Sequence, residues 1–376
     1  METENYMDYI VPDYYTSFTC KIDHCRSACC DGWPVTFSMA DYFKLLSVDC
    51  SPELKGRLDI SLHLTEHPTE EEYGTILPRY DGRCPIRLAD GRCALQTEAG
   101  QGALPAVCRL YPRSIKAGEC CCSNSCEAVI ELLDREEPIQ FQTISREEMA
   151  FPVKRVHFFE TGGREIEIRL WLIAFLQDRS IPLGQRLARL GEAVRHLDEA
   201  LTAHDFNALD DLLSGKTDVI VPDLNDSKST ALDTVRQLLI RLDDLSDSIH
   251  DYGRMALRHF DCEGALSEEA IAHRLSQASP HWEAWFENMM VNHMYFSQFP
   301  FQDRPVSLKD ETVALYAVYV LLRFLTIGAG DGTHGRMADI AAALFRLTDH
   351  TAFDRYAVPI LKQICGNGPV LKLLML

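Results

Sequence analysis

Cysteine is the residue type that carries chemistry in this chain. Cys20, Cys25, Cys29 and Cys30 form a C-x4-C-x3-C-C block, Cys84, Cys93 and Cys108 follow singly, and Cys120, Cys121, Cys122 and Cys126 close the series. With Cys50, twelve of the fourteen cysteines fall in the first third of the chain, which demands a local chemical cause. Thiolates bind soft and borderline metals, and four of them suit Zn2+ or an iron–sulfur cluster. Cys25, Cys29 and Cys30 are close enough in sequence to share a site, and Gly32 permits a tight turn beside them. The vicinal Cys29-Cys30 pair is unusual for a zinc knuckle. It also departs from the C-x3-C-x2-C spacing of radical enzymes that cleave S-adenosylmethionine. Spacing alone leaves zinc and iron–sulfur open.

The second set sits in turn-rich segments: Asp81-Gly82-Arg83-Cys84-Pro85, Asp90-Gly91-Arg92-Cys93 and Cys108-Arg109-Leu110-Tyr111-Pro112-Arg113. Asp-Gly pairs mark turns, so the two D-G-R-C units read as loops that each deliver one thiolate to a common site. Cys126 opens an apolar helical stretch, 128–133, where the helix dipole favours a thiolate. Cys20, Cys25, Cys29, Cys30, Cys84, Cys93, Cys108 and Cys126 are therefore the candidate metal ligands, enough for two four-thiolate sites or for one with spare thiols. Of Cys120, Cys121 and Cys122, at most one joins them. Cys50, Cys262 and Cys365 read as structural thiols packed like small hydrophobes. His24 is a possible auxiliary ligand, with a surface histidine as the blander reading.

The elements that must position these residues are bounded by the bulk composition. The 376 residues suffice for two domains and a sizeable core. A net charge of −19 argues against a nucleic-acid partner, because a phosphate backbone would be repelled. The acidic N-terminus has no apolar h-region and does not read as a signal peptide. No apolar run approaches the ~18 residues needed to span a bilayer; the best candidate, 313–327, is short and carries Arg323. These features place the chain in the cytoplasm without a membrane partner. In that reducing compartment clustered cysteines are metal ligands rather than disulfides.

The motifs, taken in order, resemble those of the flagellin lysine N-methylases. Phe18-x-Cys20-x4-Cys25-x3-Cys29-Cys30-x-Gly32-Trp33 is similar to the family's opening signature. Gly82-Arg83-Cys84-Pro85, Gly91-Arg92-Cys93-Ala94-Leu95, Gly102-Ala103-Leu104, Cys108-Arg109 and Tyr111-Pro112-Arg113 look like its middle motifs. Ser125-Cys126-Glu127-Ala128 is similar to its closing motif with a proline missing. The likeness covers 15–133 most strongly and continues around 286–301 and 316–325. It implies methyl transfer from S-adenosylmethionine to surface lysines of flagellin, and a [4Fe–4S] cluster in the cysteine block. Arg109, Tyr111 and Arg113, beside Cys108, are then candidate binders of the donor, with support of the cysteine site as the other reading. Because the acceptor amine must be neutral to attack, a carboxylate or tyrosine is expected to take its proton. Two other classes stay in view: a zinc-stabilised binding module that catalyses nothing, and an iron–sulfur redox protein.

The expected fold is mainly α: a cysteine-rich metal-binding domain, 1–137, with few short strands, packed on an all-helical domain, 138–376. Residues 1–19 are expected to cover the metal domain. Ser38 and Asp41 cap a short helix. Helices follow near 165–178, 183–203, 205–213, 230–248, 252–260, 267–278, 280–297, 308–326, 335–347 and 351–364, supported by apolar spacing such as Leu232, Val235, Leu238, Leu239 and Leu242. Gly328-Ala329-Gly330-Asp331-Gly332 fits G-x-G-x-G, but it follows a helical segment with no βαβ pattern around it. It reads as a helix–helix turn, and no Rossmann-like domain is expected. Trp282, Trp285, Phe286, Met289, Met290, His293, Met294 and Phe296 read as core, with an aromatic groove for a substrate or donor cation as the sharper alternative; Asn288 and Asn292 lie one turn apart on the same helix, within reach of a ligand there.

Overall fold

The computed structural model describes residues 6–21, 24–26, 31–116, 118–147, 158–222, 228–242, 249–264, 266–302 and 306–365. The chain is mainly helical, with fifteen α-helices and 58% helix among the described residues. It divides into two compact units: a smaller one of Phe18–Ser114 and Cys126–Ala128, and a larger one of Met1–Ser17, Ile115–Ser125 and Val129–Leu376.

The smaller unit carries β2 (Val35–Phe37), α1 (Met39–Leu46), α2 (Pro52–Ser61), β3 (Leu62–Leu64), β4 (Gly74–Ile76), α3 (Ala94–Ala99) and α4 (Ala106–Leu110). The strands form an antiparallel sheet in the order β2-β4-β3. Ser38 caps α1 by accepting from the Asp41 amide, as its sequence predicts, and Ser51 caps α2 from Leu54 with Pro52 in the first turn. The core gathers Val35, Phe37, Leu45, Leu54, Leu58, Leu62, Ile76, Ile86 and Leu95, and Cys50, Cys84, Cys93 and Cys108 pack against it. Gly74 is fixed by this packing: a Cβ there would lie 2.6 Å from ring carbons of Phe37 and Tyr42.

The larger unit holds β1 (Tyr6–Pro12), β6 (Glu119–Cys122), β7 (Phe141–Glu147) and the helices from α6 onward. Its sheet runs β5-β6-β1-β7, with the chain passing between units inside β5 (Arg113–Lys116) and inside α5 (Glu127–Leu132). β1 runs parallel to β6 and antiparallel to β7. The unit is thus helical from Glu165 on but adds a sheet that the sequence reading did not predict, with Tyr6–Pro12 as an inner strand of it. The division drawn at 137 falls inside this unit, between β6 and β7. No doubly wound parallel sheet occurs among the described residues.

Its helices are α6 (Glu165–Leu176), α7 (Leu183–Thr202), α8 (Phe206–Leu213), α9 (Lys228–Leu242), α10 (His250–Glu263), α11 (Glu268–Ala278), α12 (Trp282–Ser297), α13 (Leu308–Ala329), α14 (His334–His350) and α15 (Phe353–Cys365). The stretch expected to extend α9 to 248 lies outside the described residues beyond 242. α13 is long and apolar enough to cross a membrane by length and composition, with a mean hydropathy of 1.8, contrary to the shorter run read from sequence. That whole window is buried inside the unit, so α13 serves as its core helix. α12 is core as well, with Trp285, Phe286, Met289 and Met290 fully buried. Gly330-Asp331-Gly332 turns the chain from α13 into α14, and Thr333 caps α14.

Candidate functional site

Two copies of one turn deliver thiols in the smaller unit. In the first, the Arg79 amide donates to the Arg83 carbonyl and Asp81 Oδ1 accepts from the Arg83 amide at 3.1 Å. In the second, the Leu88 amide donates to the Arg92 carbonyl and Asp90 Oδ1 accepts from the Arg92 amide at 3.1 Å. Gly82 and Gly91 sit at φ 77° and 94°, conformations that favour glycine. Each turn is followed at once by a cysteine. The two thiols feel each other: burial first, then the Cys84 thiol, pushes the Cys93 thiol up, against the Gln96 and Leu95 amides that pull it down.

The first cysteine block is tied to these turns. Asp31, next to the Cys29-Cys30 pair, pairs with the Arg87 guanidinium and accepts from the Cys84 amide, and the Gly32 amide donates to the Gly82 carbonyl at 2.7 Å. From the other side, the buried Glu127 carboxylate accepts from the Arg26 amide at 3.0 Å and pairs with Lys21 at 3.5 Å. Burial, Glu127 and the Cys20 thiol together push the Cys25 thiol up. Cys25 and Cys84 line one cavity of about 410 Å³, together with Arg57, Arg79, Arg83 and Arg87.

The structure therefore draws Cys20, Cys25, Cys84 and Cys93 into one neighbourhood. Cys108 packs on the same core from α4, and Cys126 precedes α5 as expected. Cys29 and Cys30 lie outside the described residues. Among the described residues no group of three or more His, Cys, Asp or Glu stands ready to hold a metal ion, and the twelve described cysteines form no disulfide. The donor chemistry fits a thiophilic centre: at Cys25 and Cys93 ionisation is opposed by burial and by a neighbouring thiol, a cost that a bound cation offsets. Cys120, Cys121 and Cys122 are buried in β6, in the larger unit. Cys262 is exposed instead of packed, because it falls on the solvent side of α10. His24 is exposed.

Of the expected donor binders, none lines this cavity. Arg113 donates to the Phe18 carbonyl at 3.1 Å and lies 4.8 Å from the Phe18 ring centre. Arg109 is exposed on α4, and Tyr111 precedes a cis peptide to Pro112. The four arginines that do line the cavity were missed. Two of them stand in the Arg-x-Asp-Gly-Arg turn itself, where a guanidinium beside each thiol was the available signal.

The larger unit holds a second polar centre. Asp349, at the end of α14, has a fully buried side chain. It accepts from His293 Nδ1 at 2.8 Å, Ser123 Oγ at 2.7 Å and the Asn124 amide at 3.2 Å. Ser125 Oγ lies 2.8 Å from His350 Nε2, and partial desolvation lowers the His350 pKa. Asn292 donates to the Cys122 carbonyl and to Asn124 Oδ1, and Asn288 donates to the carbonyls of Leu133, Arg135 and Glu137, so both asparagines brace the core. His293 stands in the aromatic helix that the sequence offers as core or as a cation groove, whereas Asp349 went unnoticed in the sequence. The available signal was an acidic residue in the last turn of a helix, where the dipole disfavours it.

Fold and site together define a protein with a thiol-rich unit and a larger helical unit built around buried polar networks. The sequence of that helical part matches the FliB lysine N-methylase C-terminal domain over residues 169–363, just over half of the chain. The chain belongs to the FliB lysine N-methylase family. No curated protein and no solved structure matches it.

Proposed function

We propose that the protein is an S-adenosylmethionine-dependent methyltransferase, acting in the cytoplasm, that methylates surface lysines of flagellin and holds an iron–sulfur cluster, [4Fe–4S], in its smaller unit. The observation that carries this reading is the family match over 169–363, joined to the thiol neighbourhood built by the two D-G-R-C turns. Cys20, Cys25, Cys84 and Cys93 would hold the cluster, with Cys29, Cys30, Cys108 and Cys126 as further candidates. When bound, a cluster with one open iron supplies an anchor for the amino and carboxylate groups of the methyl donor. Guanidinium groups suit a carboxylate by forked hydrogen bonding. Arg57, Arg79, Arg83 and Arg87 offer that chemistry around the 410 Å³ cavity, a volume within the roughly 300–1,000 Å³ of small-molecule sites. Arg109, Tyr111 and Arg113 remain candidates for the same role from the chain after Cys108.

Anaerobic purification with iron, sulfide and zinc analysis tests the metal, and methylation of unmethylated flagellin, read by mass spectrometry, tests the activity. About four irons and four sulfides per chain are expected. Stoichiometric zinc without iron or sulfide overturns the cluster and leaves a structural metal site. Absence of methyl transfer from S-adenosylmethionine by metal-replete protein overturns the assignment of the reaction.

A further inference from the structure

A separate cavity of about 130 Å³ lies wholly within the helical unit, lined among others by Lys116, His293, Phe296, Glu311, Thr348 and Asp349. Its size is far below the roughly 300–1,000 Å³ of small-molecule sites, so it admits one side chain rather than a nucleoside. We propose that this cavity receives the acceptor lysine and that His293 is the base that takes its proton. The inference rests on the lysine N-methylase reading and adds to it where the acceptor goes and what deprotonates it.

Three observations converge. First, His293 and Asp349 form a dyad: the buried carboxylate, fixed by Ser123 and Asn124, accepts from Nδ1 and so sets the tautomer, leaving Nε2 as the ring's acceptor. Nε2 makes no hydrogen bond among the described residues, and His293 lines the cavity. Second, the walls suit a cation. Glu311, Asp349 and Asp354 place three carboxylates in the lining, and Lys116 is an ammonium already held there. Lys116 itself shows how a lysine is accommodated there: Nζ donates to the Phe296 carbonyl at 3.2 Å and lies 5.5 Å from the Phe296 ring centre. Third, the Thr348 hydroxyl is buried with no hydrogen-bond partner among the described residues, a polar atom in the wall that an incoming amine would satisfy.

The step balances. An Nζ proton of the lysine ammonium passes to His293 Nε2. The freed lone pair attacks the sulfonium methyl, so an N–C bond forms, the S–C bond breaks, and its electron pair stays on sulfur to give S-adenosylhomocysteine. Asp349 stabilises the imidazolium, which then releases its proton to water. His293 is thereby a catalytic residue, and Asp349 a positioning residue acting through it.

The test uses the full, metal-replete chain. His293→Gln is expected to lower kcat for flagellin methylation about 10²–10⁴-fold with KM nearly unchanged, the range that a general base contributes. The loss should shrink as the pH is raised toward the acceptor's own pKa near ~10.4, where solution removes the proton. Asp349→Asn should move the wild-type pH–rate profile as well as the rate. In parallel, Nα-acetyl-lysine methylamide is titrated into wild-type protein labelled at the histidine ring nitrogens. The His293 resonances should shift saturably, and Glu311→Gln should weaken that binding. An active wild type whose rate and pH profile survive His293→Gln overturns the base, and absence of any probe-induced His293 shift overturns the pocket even where the variants fail to fold. A wild type that binds the probe but transfers no methyl group leaves the pocket standing and sinks the assigned reaction instead.

Discussion

Arg186 Nη1 lies 2.6 Å from Glu287 Oε2, and the two side chains are 5% and 0% exposed. The same carboxylate takes both ends of the Arg179 fork, at 2.8 and 2.9 Å. This is the joint between α7 and α12, inside the family-matched region. Removing one partner of a buried pair strands the other charge. Glu287→Ala is therefore expected to cost about 3–5 kcal/mol, measured by urea unfolding at neutral pH. A loss below about 1 kcal/mol, as for an exposed pair, would show that Arg186 finds water or another acceptor.

Gly328 has a different sensitivity. A Cβ there would meet the Ala256 Cα at 2.6 Å, and backbone cannot swing aside as a side-chain tip can. Gly328→Ala should force α10 and α13 apart at a cost of about 1–3 kcal/mol. Gly56→Ala, in α2 with nothing within 4 Å of the added carbon, should be neutral or stabilise by about 0.4–1 kcal/mol. Equal responses at the two glycines would contradict the close crossing.

His350 couples the helical unit to pH. The residue is exposed at the end of α14, yet its ring nitrogen faces Ser125, and the partial desolvation there depresses its pKa in the folded state. The unfolded chain then binds the proton more readily than the folded one. The contribution to stability is fully present above the unfolded value near ~6.5 and is lost as pH falls from there through the folded value. Unfolding curves taken at steps from neutral to mildly acidic pH should show stability falling, and His350→Gln should flatten that fall. A variant with the wild-type slope would assign the acid sensitivity to other groups.

Cys84 and Cys93 should behave alike, because equivalent turns present them side by side. Cys84→Ser and Cys93→Ser are each expected to lower bound metal, read by metal analysis and visible absorbance. Cys262→Ser, on the exposed face of α10, should leave metal content unchanged. If all three variants keep full metal, the D-G-R-C turns do not deliver ligands.

The helices of the larger unit were legible because each carries its own signal. Ser307 and Thr333 cap α13 and α14, Pro182 precedes α7, and apolar spacing sets the inward faces. The thiol turns were legible for the same reason, since Asp-Gly is a local instruction. The sheet was not, because Tyr6 pairs with Glu147 and no local pattern specifies a partner so distant in the chain. The dyad escaped for a related reason: His293 and Asp349 sit on different helices and meet only through tertiary packing. α13 was expected as a helix over 308–326, but its apolar run was read as only 313–327 because Arg323 looks like an interruption. In the fold its guanidinium reaches Tyr319 and Glu268, so the apolar helix carries it without a break.

The order β5-β6-β1-β7 has a consequence for dissecting the protein. Its strands come from both sides of the cysteine-rich stretch, so that stretch is an insertion threaded into its host rather than a bead ahead of it. A fragment beginning at 138 would keep β7 but lose β1, its pairing neighbour, and expose a raw strand edge prone to aggregation. The cut that respects the architecture removes the interior, 18–114, and rejoins the flanks with a short linker. Expression trials should start from that internal deletion, not from an N-terminal truncation.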